Sequence, residues 1–322
     1  MCVLGVLGVL GVLVGCSGAA TPARTGALDP HTRTADPTAP TTSAVSPPTT
    51  WATPAPTRTS TAPPPPGPGG ILGRYRVVAY YGGPSGPGLG VLGTGPPDEM
   101  AKQIEQRAKA FARFGRPVLP AMELIATVAQ AAPGKDGSYS KPIPTAVIAR
   151  YLAAAHRHHM LLILDFQPGR AEFLPQVRAV AQYLVDPSVS VALDPEWKMG
   201  PGKVPGKVIG SASAASVNAV SRYLAGIVVR NHLPDKLLLV HQFRLPMLPD
   251  RDRIAPSGGI EIVFHADGFG TQRAKLATWH KLAFPGRPFG TGFKLFLRQD
   301  VRMMTAAQAM AVRPTPDVIT YQ

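Results

Sequence analysis

Cysteine is almost missing from this chain. The two that occur, Cys2 and Cys16, both lie near the start, and 71–322 contain none. That excludes a disulfide framework and a thiol nucleophile from the body of the protein. Acids are scarce as well: 19 Asp and Glu stand against 33 Lys and Arg, a formal charge of +14. Nearly all of the excess falls in 71–322, because the preceding residues carry Arg24, Arg33 and Arg58 against Asp29 and Asp36. A basic excess suits nucleic acid, anionic lipid or an anionic wall polymer. Nucleic acid is not expected, since no Lys/Arg run is interleaved with aromatics. Three signatures are also absent: His-Glu-x-x-His, the Gly-x-Ser-x-Gly elbow, and Gly-Lys-Ser/Thr after a glycine-rich loop. Their absence removes the usual zinc-protease, serine-hydrolase and phosphate-loop patterns.

No apolar run reaches the roughly 20 residues that a membrane-spanning helix needs. The opening "MCVLGVLGVLGVLVGCSG" is shorter and suits the apolar region of a signal peptide. No Lys or Arg precedes it; a start further upstream would supply one. Its end, Leu13-Val14-Gly15-Cys16, resembles the bacterial lipobox. That resemblance implies acylation at Cys16, attachment to the membrane through the acyl chains, and an extracytoplasmic, lipid-anchored location. The division expected is 1–16 as lipoprotein signal peptide, 17–70 as linker and 71–322 as one folded domain. The linker is Thr/Pro/Ala/Ser-rich and ends in "APPPPGPGG". Such a composition cannot bury a core and is expected to be a disordered, extended spacer.

What is present after residue 71 is rhythm. Eight short apolar runs begin at Arg76, Pro117, Leu161, Ser190, Lys236, Ile260, Gly292 and Pro316. They alternate with helical stretches such as "PDEMAKQIEQRAKAFARFG" and "SAASVNAVSRYLAGIVVRNHL". Unbroken apolar strands in this alternation indicate a parallel sheet covered on both faces. Eight of them over about 250 residues predict an α/β protein of (β/α)8 TIM-like barrel type. No helical stretch follows the last strand, so the barrel is expected to be slightly open there or covered by the segment before strand one.

Chemistry in such barrels sits at the C-terminal strand ends, and there the polar residues collect. Strand one ends in Tyr80-Tyr81, strand two carries Glu123, and strand three ends in Asp165-Phe166-Gln167. Strand four ends in Asp194-Pro195-Glu196-Trp197, strand five in His241-Gln242, and strand six in His265-Ala266-Asp267. Strand seven offers Lys294, and strand eight Tyr321. Period-two alternation puts Asp165 with Gln167, Asp194 with Glu196, and His265 with Asp267, each pair facing the mouth. Asp194, Glu196, Asp267 and Asp165 are the candidate catalytic groups. Trp197, Tyr80, Tyr81, Gln167, His241, Gln242, His265 and Tyr321 are the candidate substrate contacts.

Asp-x-Glu at the end of strand four resembles the barrel glycoside hydrolases of family 18 (chitinase-like) and, less closely, family 25 (lysozyme-like). The resemblance implies Glu196 as general acid with Asp194 as its partner, Asp267 in a supporting place, and a glycan substrate from the cell wall or surroundings. The chain departs from both families. "SVSVAL" precedes Asp194 in place of an Asp-rich string, His265 replaces a Tyr, and strand one has no Asp. The strings "LDPEW", "HQF", "DGFG" and "TYQ" also resemble a family of bacterial lipoproteins, which implies an envelope location and no particular activity.

Two rival readings use the same residues. One is a barrel that binds a saccharide without cleaving it. The other is a metal-dependent hydrolase with Asp165, Asp194, Glu196, His241 and His265 or Asp267 as ligands. The expectation carried forward has no cofactor and no resident metal, and it infers no protein partner.

Overall fold

The computed structural model describes residues 70–283 and 288–322. The expected signal peptide, Cys16 and the linker up to residue 69 lie outside them. Gly70, assigned above to the linker, begins the first helix. The strands are β1 (Arg76–Gly82), β2 (Val118–Ala129), β3 (Ser140–Pro142), β4 (Leu161–Phe166), β5 (Val189–Leu193), β6 (Lys236–Gln242), β7 (Ile260–Ala266), β8 (Gly290–Leu295) and β9 (Val318–Tyr321). All but β3 are parallel neighbours in chain order. β9 returns to β1, from Val77 opposite Val318 to Tyr80 opposite Tyr321. β3 pairs antiparallel with the overhanging end of β2. The protein is thus a closed eight-stranded (β/α)8 barrel.

The helices are α1 (Gly70–Arg74), α2 (Pro97–Lys109), α3 (Thr145–Arg157), α4 (Phe173–Ala179), α5 (Ala181–Leu184), α6 (Ala214–Arg230), α7 (Gln272–Leu282) and α8 (Ala306–Ala311). Their starts are legible. α2 opens on proline with Asp98 and Glu99 in its first turn, where backbone N–H groups point outward. The side chains of Ser213, Thr271 and Thr305 accept the N–H groups of Ser216, Ala274 and Gln308 at the starts of α6, α7 and α8. Between β6 and β7 the chain makes two short 3₁₀ turns, Leu245–Met247 and Arg251–Arg253, and no α-helix.

Of the two expectations for the last strand, an opening or cover by the segment before strand one, the opening is absent. β9 closes on β1, and the lower end of the barrel is filled by α1. Ile71 and Leu72 join Val77, Ala79, Leu161 and Leu239 in an apolar cluster inside the barrel. The Glu261 carboxylate accepts the Ile71 N–H at 2.6 Å and the Leu72 N–H at 3.2 Å, which holds α1 in place. A second, larger cluster lies between the sheet and the helices and includes Tyr80, Phe111, Phe166, Val240 and Trp279. Leu92, from the glycine-rich loop after β1, is buried in this outer layer and anchors the loop there. The "HRHH" string closes α3. His156 meets Asp186 at 2.9 Å, and His158 meets Glu105 at 2.9 Å.

Candidate active site

Above the apolar floor, each of the eight barrel strands, or the residue directly after it, places a polar side chain at the mouth. Val77 and Ala79 face the interior, so alternation turns Tyr81 inward and Tyr80 outward. The same rule delivers Glu123 from β2, Asp165 from β4, His241 from β6, His265 from β7, Lys294 from β8 and Thr320 from β9, all buried. Asp194 follows β5 directly and is also buried. Gly292 is required beside this set, because any Cβ there would run into the His265 ring.

Hydrogen bonds and one ion-pair contact form a closed ring across the barrel. His241 meets Glu123 Oε1 through Nε2 at 2.7 Å and Asp267 Oδ2 through Nδ1 at 2.8 Å. Asp267 Oδ1 meets His265 Nδ1 at 2.7 Å, and His265 Nε2 meets Thr320 Oγ1 at 2.9 Å. Thr320 Oγ1 closes the circuit to Glu123 Oε2 at 3.1 Å. Lys294 Nζ adds a 2.9 Å contact to Asp267 Oδ2 and lies 3.8 Å from the centre of the Tyr81 ring. Beside the ring, Gln167 Nε2 donates to Tyr81 Oη, and Tyr81 Oη–H donates to Asp165 Oδ2, both at 3.1 Å.

The surroundings separate the acids into two groups. Burial alone would raise Asp267, but His241, Lys294 and His265 outweigh it and hold the carboxyl well below its usual value. Glu123 behaves alike: burial opposes ionisation, while His241 and Lys294 bring the carboxyl below its ordinary value. His241 is raised well above the usual imidazole value, since Asp267 and Glu123 overcome burial and the repulsion of Lys294. By contrast, burial drives Asp165 well upward against the pull of His241. Burial raises Asp194 to about 7, with Glu196 adding to the effect and His241 opposing it. Burial, followed by the charge of Asp267, raises Glu196 to about 7.

The "DPEW" stretch is a 3₁₀ turn over Pro195–Trp197, not the end of the strand. Pro195 has no N–H for the ladder, and Asp194 Oδ1 accepts the Glu196 N–H at 3.3 Å. Asp194 and Glu196 are therefore joined by a cap, and the i, i+2 strand spacing expected for them does not apply. Glu196, Trp197 and Asp267 are half-buried; Asp165, Gln167, His241 and His265 are buried. The loop 198–211 packs against this turn, with the Gly210 N–H donating to the Glu196 carbonyl at 2.6 Å. A cavity of about 270 Å³ lies there, lined by Lys198, Met199, Lys203, Val208, Ile209 and Ser211 among others.

Three expected contacts do not reach the mouth. Tyr80 and Tyr321 stack edge-on at 6.2 Å in the outer layer, where Tyr321 also meets Phe111. The inward places on their strands belong to Tyr81 and Thr320. Gln242, next to inward-facing His241, accepts from Arg251 at 2.9 Å and donates to the Arg244 carbonyl at 3.0 Å, which pins the loop after β6. Glu123 and Lys294 were expected at the strand ends without an assigned role, and Thr320 was not expected there. Glu123 and Lys294 are the lone charged residues of their strands, which was the available signal. Phe269, 60% exposed after β7 and edge-on to Phe296 at 5.6 Å, is a further aromatic at the rim.

The class defined by these features is a closed parallel (β/α)8 barrel whose mouth holds a ring of buried acids, imidazoles and one ammonium. No protein-family model and no curated protein matches the chain.

Proposed function

We propose that this barrel processes a glycan, with Glu196 as general acid and Asp267 as the ionised carboxylate of the site. One observation carries the reading: two carboxyls at the same mouth are pushed in opposite directions. Glu196 is raised to about 7 and keeps its proton near neutrality, while Asp267 is held well below the usual range. Separation of this kind assigns acid and base roles to paired carboxyls, and glycoside hydrolysis requires such a pair. Glu196 is reachable, whereas the histidines and Lys294 that hold Asp267 ionised are not. Trp197 on the same turn and Phe269 on the rim supply apolar faces suited to sugar rings. Asp194 caps the turn that carries Glu196 and acts by positioning it.

The location belongs to the same proposal. The lipobox-like end at Cys16 and the Pro/Thr-rich stretch suit a domain tethered to the outer side of a membrane within reach of wall glycans. A screen of wall and extracellular glycans with the wild-type protein beside Glu196→Gln tests the activity. Release of reducing ends by the wild type and loss of at least about a hundredfold in the variant are expected. Equal release by both removes Glu196 from the chemistry. Binding without release by either protein favours a saccharide-binding barrel.

A further inference from the structure

We propose that Glu123, Asp165 and His241 form a site for a divalent first-row cation, with Zn²⁺ as the best match. One donor atom from each of the three lies within 4.8 Å of the other two. His241 Nε2 stands 2.7 Å from Glu123 Oε1 and 3.8 Å from Asp165 Oδ1. Donors sharing one zinc ion at ordinary bond lengths are about 3–3.5 Å apart. The two separations bracket that range and the third, between Glu123 and Asp165, is within 4.8 Å, so side-chain shifts of about an ångström seat the ion.

The second observation is Asp165 Oδ1 itself. The residue is fully buried, and this oxygen has no hydrogen-bond partner. A buried acceptor left unmatched is costly, and a cation supplies the match. The other atoms of the three residues are already held. Asp165 Oδ2 accepts from Tyr81, Glu123 Oε2 accepts from Thr320, and His241 Nδ1 is in ion-pair contact with Asp267 Oδ2 at 2.8 Å. A carboxylate behind the imidazole and a fixed partner behind each carboxylate are the supports that metal ligands use. The remaining donor atoms, one per residue, converge, and His241 Nε2 and Glu123 Oε1 share a proton that the ion would displace.

Charge and donor type point to the ion. Lys294 already pairs with Asp267 at 2.9 Å, so a dication that displaces the protons of Asp165 and His241 is balanced by the Glu123 and Asp165 carboxylates. One imidazole nitrogen with two carboxylate oxygens suits Zn²⁺ or Mn²⁺ ahead of Ca²⁺ and Mg²⁺, which prefer oxygen alone. The proposal does not depend on glycan processing, because Glu196 is no ligand in it.

The test is equilibrium dialysis of the EDTA-stripped full chain against Zn²⁺, followed by metal analysis. Co²⁺ replacement, read by visible absorption, reports the ligand field directly. The wild type is expected to retain about one equivalent and, with Co²⁺, to show the visible bands of a low-coordinate nitrogen/oxygen site. Asp165→Asn and His241→Gln are expected to lose at least about tenfold in affinity, while Glu196→Gln keeps the ion. Retention by the wild type of less than about a tenth of an equivalent overturns the proposal. So does undiminished binding in both ligand variants, which would move the ion to the surface histidines. If either variant fails to fold by circular dichroism, the wild-type Co²⁺ spectrum decides alone: bands support the site and their absence rejects it. Zinc retention without glycan release would sink the glycan reading and leave this one standing.

Discussion

Replacing Glu196 by Gln should change how stability depends on pH. In the folded protein Glu196 titrates at about 7, against an ordinary value of 4.5. Between those values the native state holds a proton that the unfolded chain releases. Native stability therefore falls as pH rises through this window, and the loss is complete above about 7. The difference corresponds to about 3 kcal/mol at roughly 1.4 kcal/mol per pH unit, and residual solvent contact at the half-buried side chain reduces it to about 2. Glutamine has nearly the same shape and never ionises. It should match the wild type near pH 5 and be about 2 kcal/mol more stable near pH 8. Asp194, also raised to about 7, keeps part of the fall in the variant. Urea denaturation across that range, in EDTA, measures the gap. Parallel stability profiles for the two proteins would refute the reasoning, since they would mean that Glu196 ionises as easily folded as unfolded.

Three further outcomes are expected. Lys294→Met removes the ammonium that meets Asp267 at 2.9 Å with 2% of its side chain exposed; His241 and His265 still hold the carboxylate, so the cost should be near the low end of the range for a broken buried pair, about 3 kcal/mol, read by urea denaturation at neutral pH. Gly292→Ala drives a methyl group into the His265 ring; a loss of about 1–3 kcal/mol and a shifted imidazole signal in NMR should follow, and an unperturbed His265 would contradict the packing. Glu261→Ala leaves the Ile71 and Leu72 amides without their acceptor, so hydrogen exchange at 70–75 should quicken and stability should drop by about 1–3 kcal/mol.

The fold was legible because its signal is local. Apolar strands separated by capped helices suffice to count eight repeats, and Asp165–Phe166–Gln167 shows its alternation without help. Closure was not legible, since the Val77–Val318 pairing joins the two ends of the domain, and nothing near either strand announces the other. Tyr80 and Tyr81 look equivalent in sequence; only the inward place of Ala79 decides between them. Pro195 did carry a warning, because a residue without an N–H ends a ladder, and the turn it makes replaces the expected strand pair. Glu123 and Lys294 stood out as lone charges in apolar runs, and Thr320 did not. Their meaning lies in partners far along the chain, such as Thr320 for Glu123 at a separation of 197 residues.

The central claim is that the mouth keeps Glu196 protonated near neutrality while Asp267 stays ionised. Side-chain carboxyl ¹³C NMR, recorded as a pH titration in EDTA and assigned with Glu196→Gln, tests it most directly. The account predicts a Glu196 midpoint at about 7 and an Asp267 signal that remains that of a carboxylate well below the usual titration range. A Glu196 midpoint near the ordinary 4.5 would contradict it.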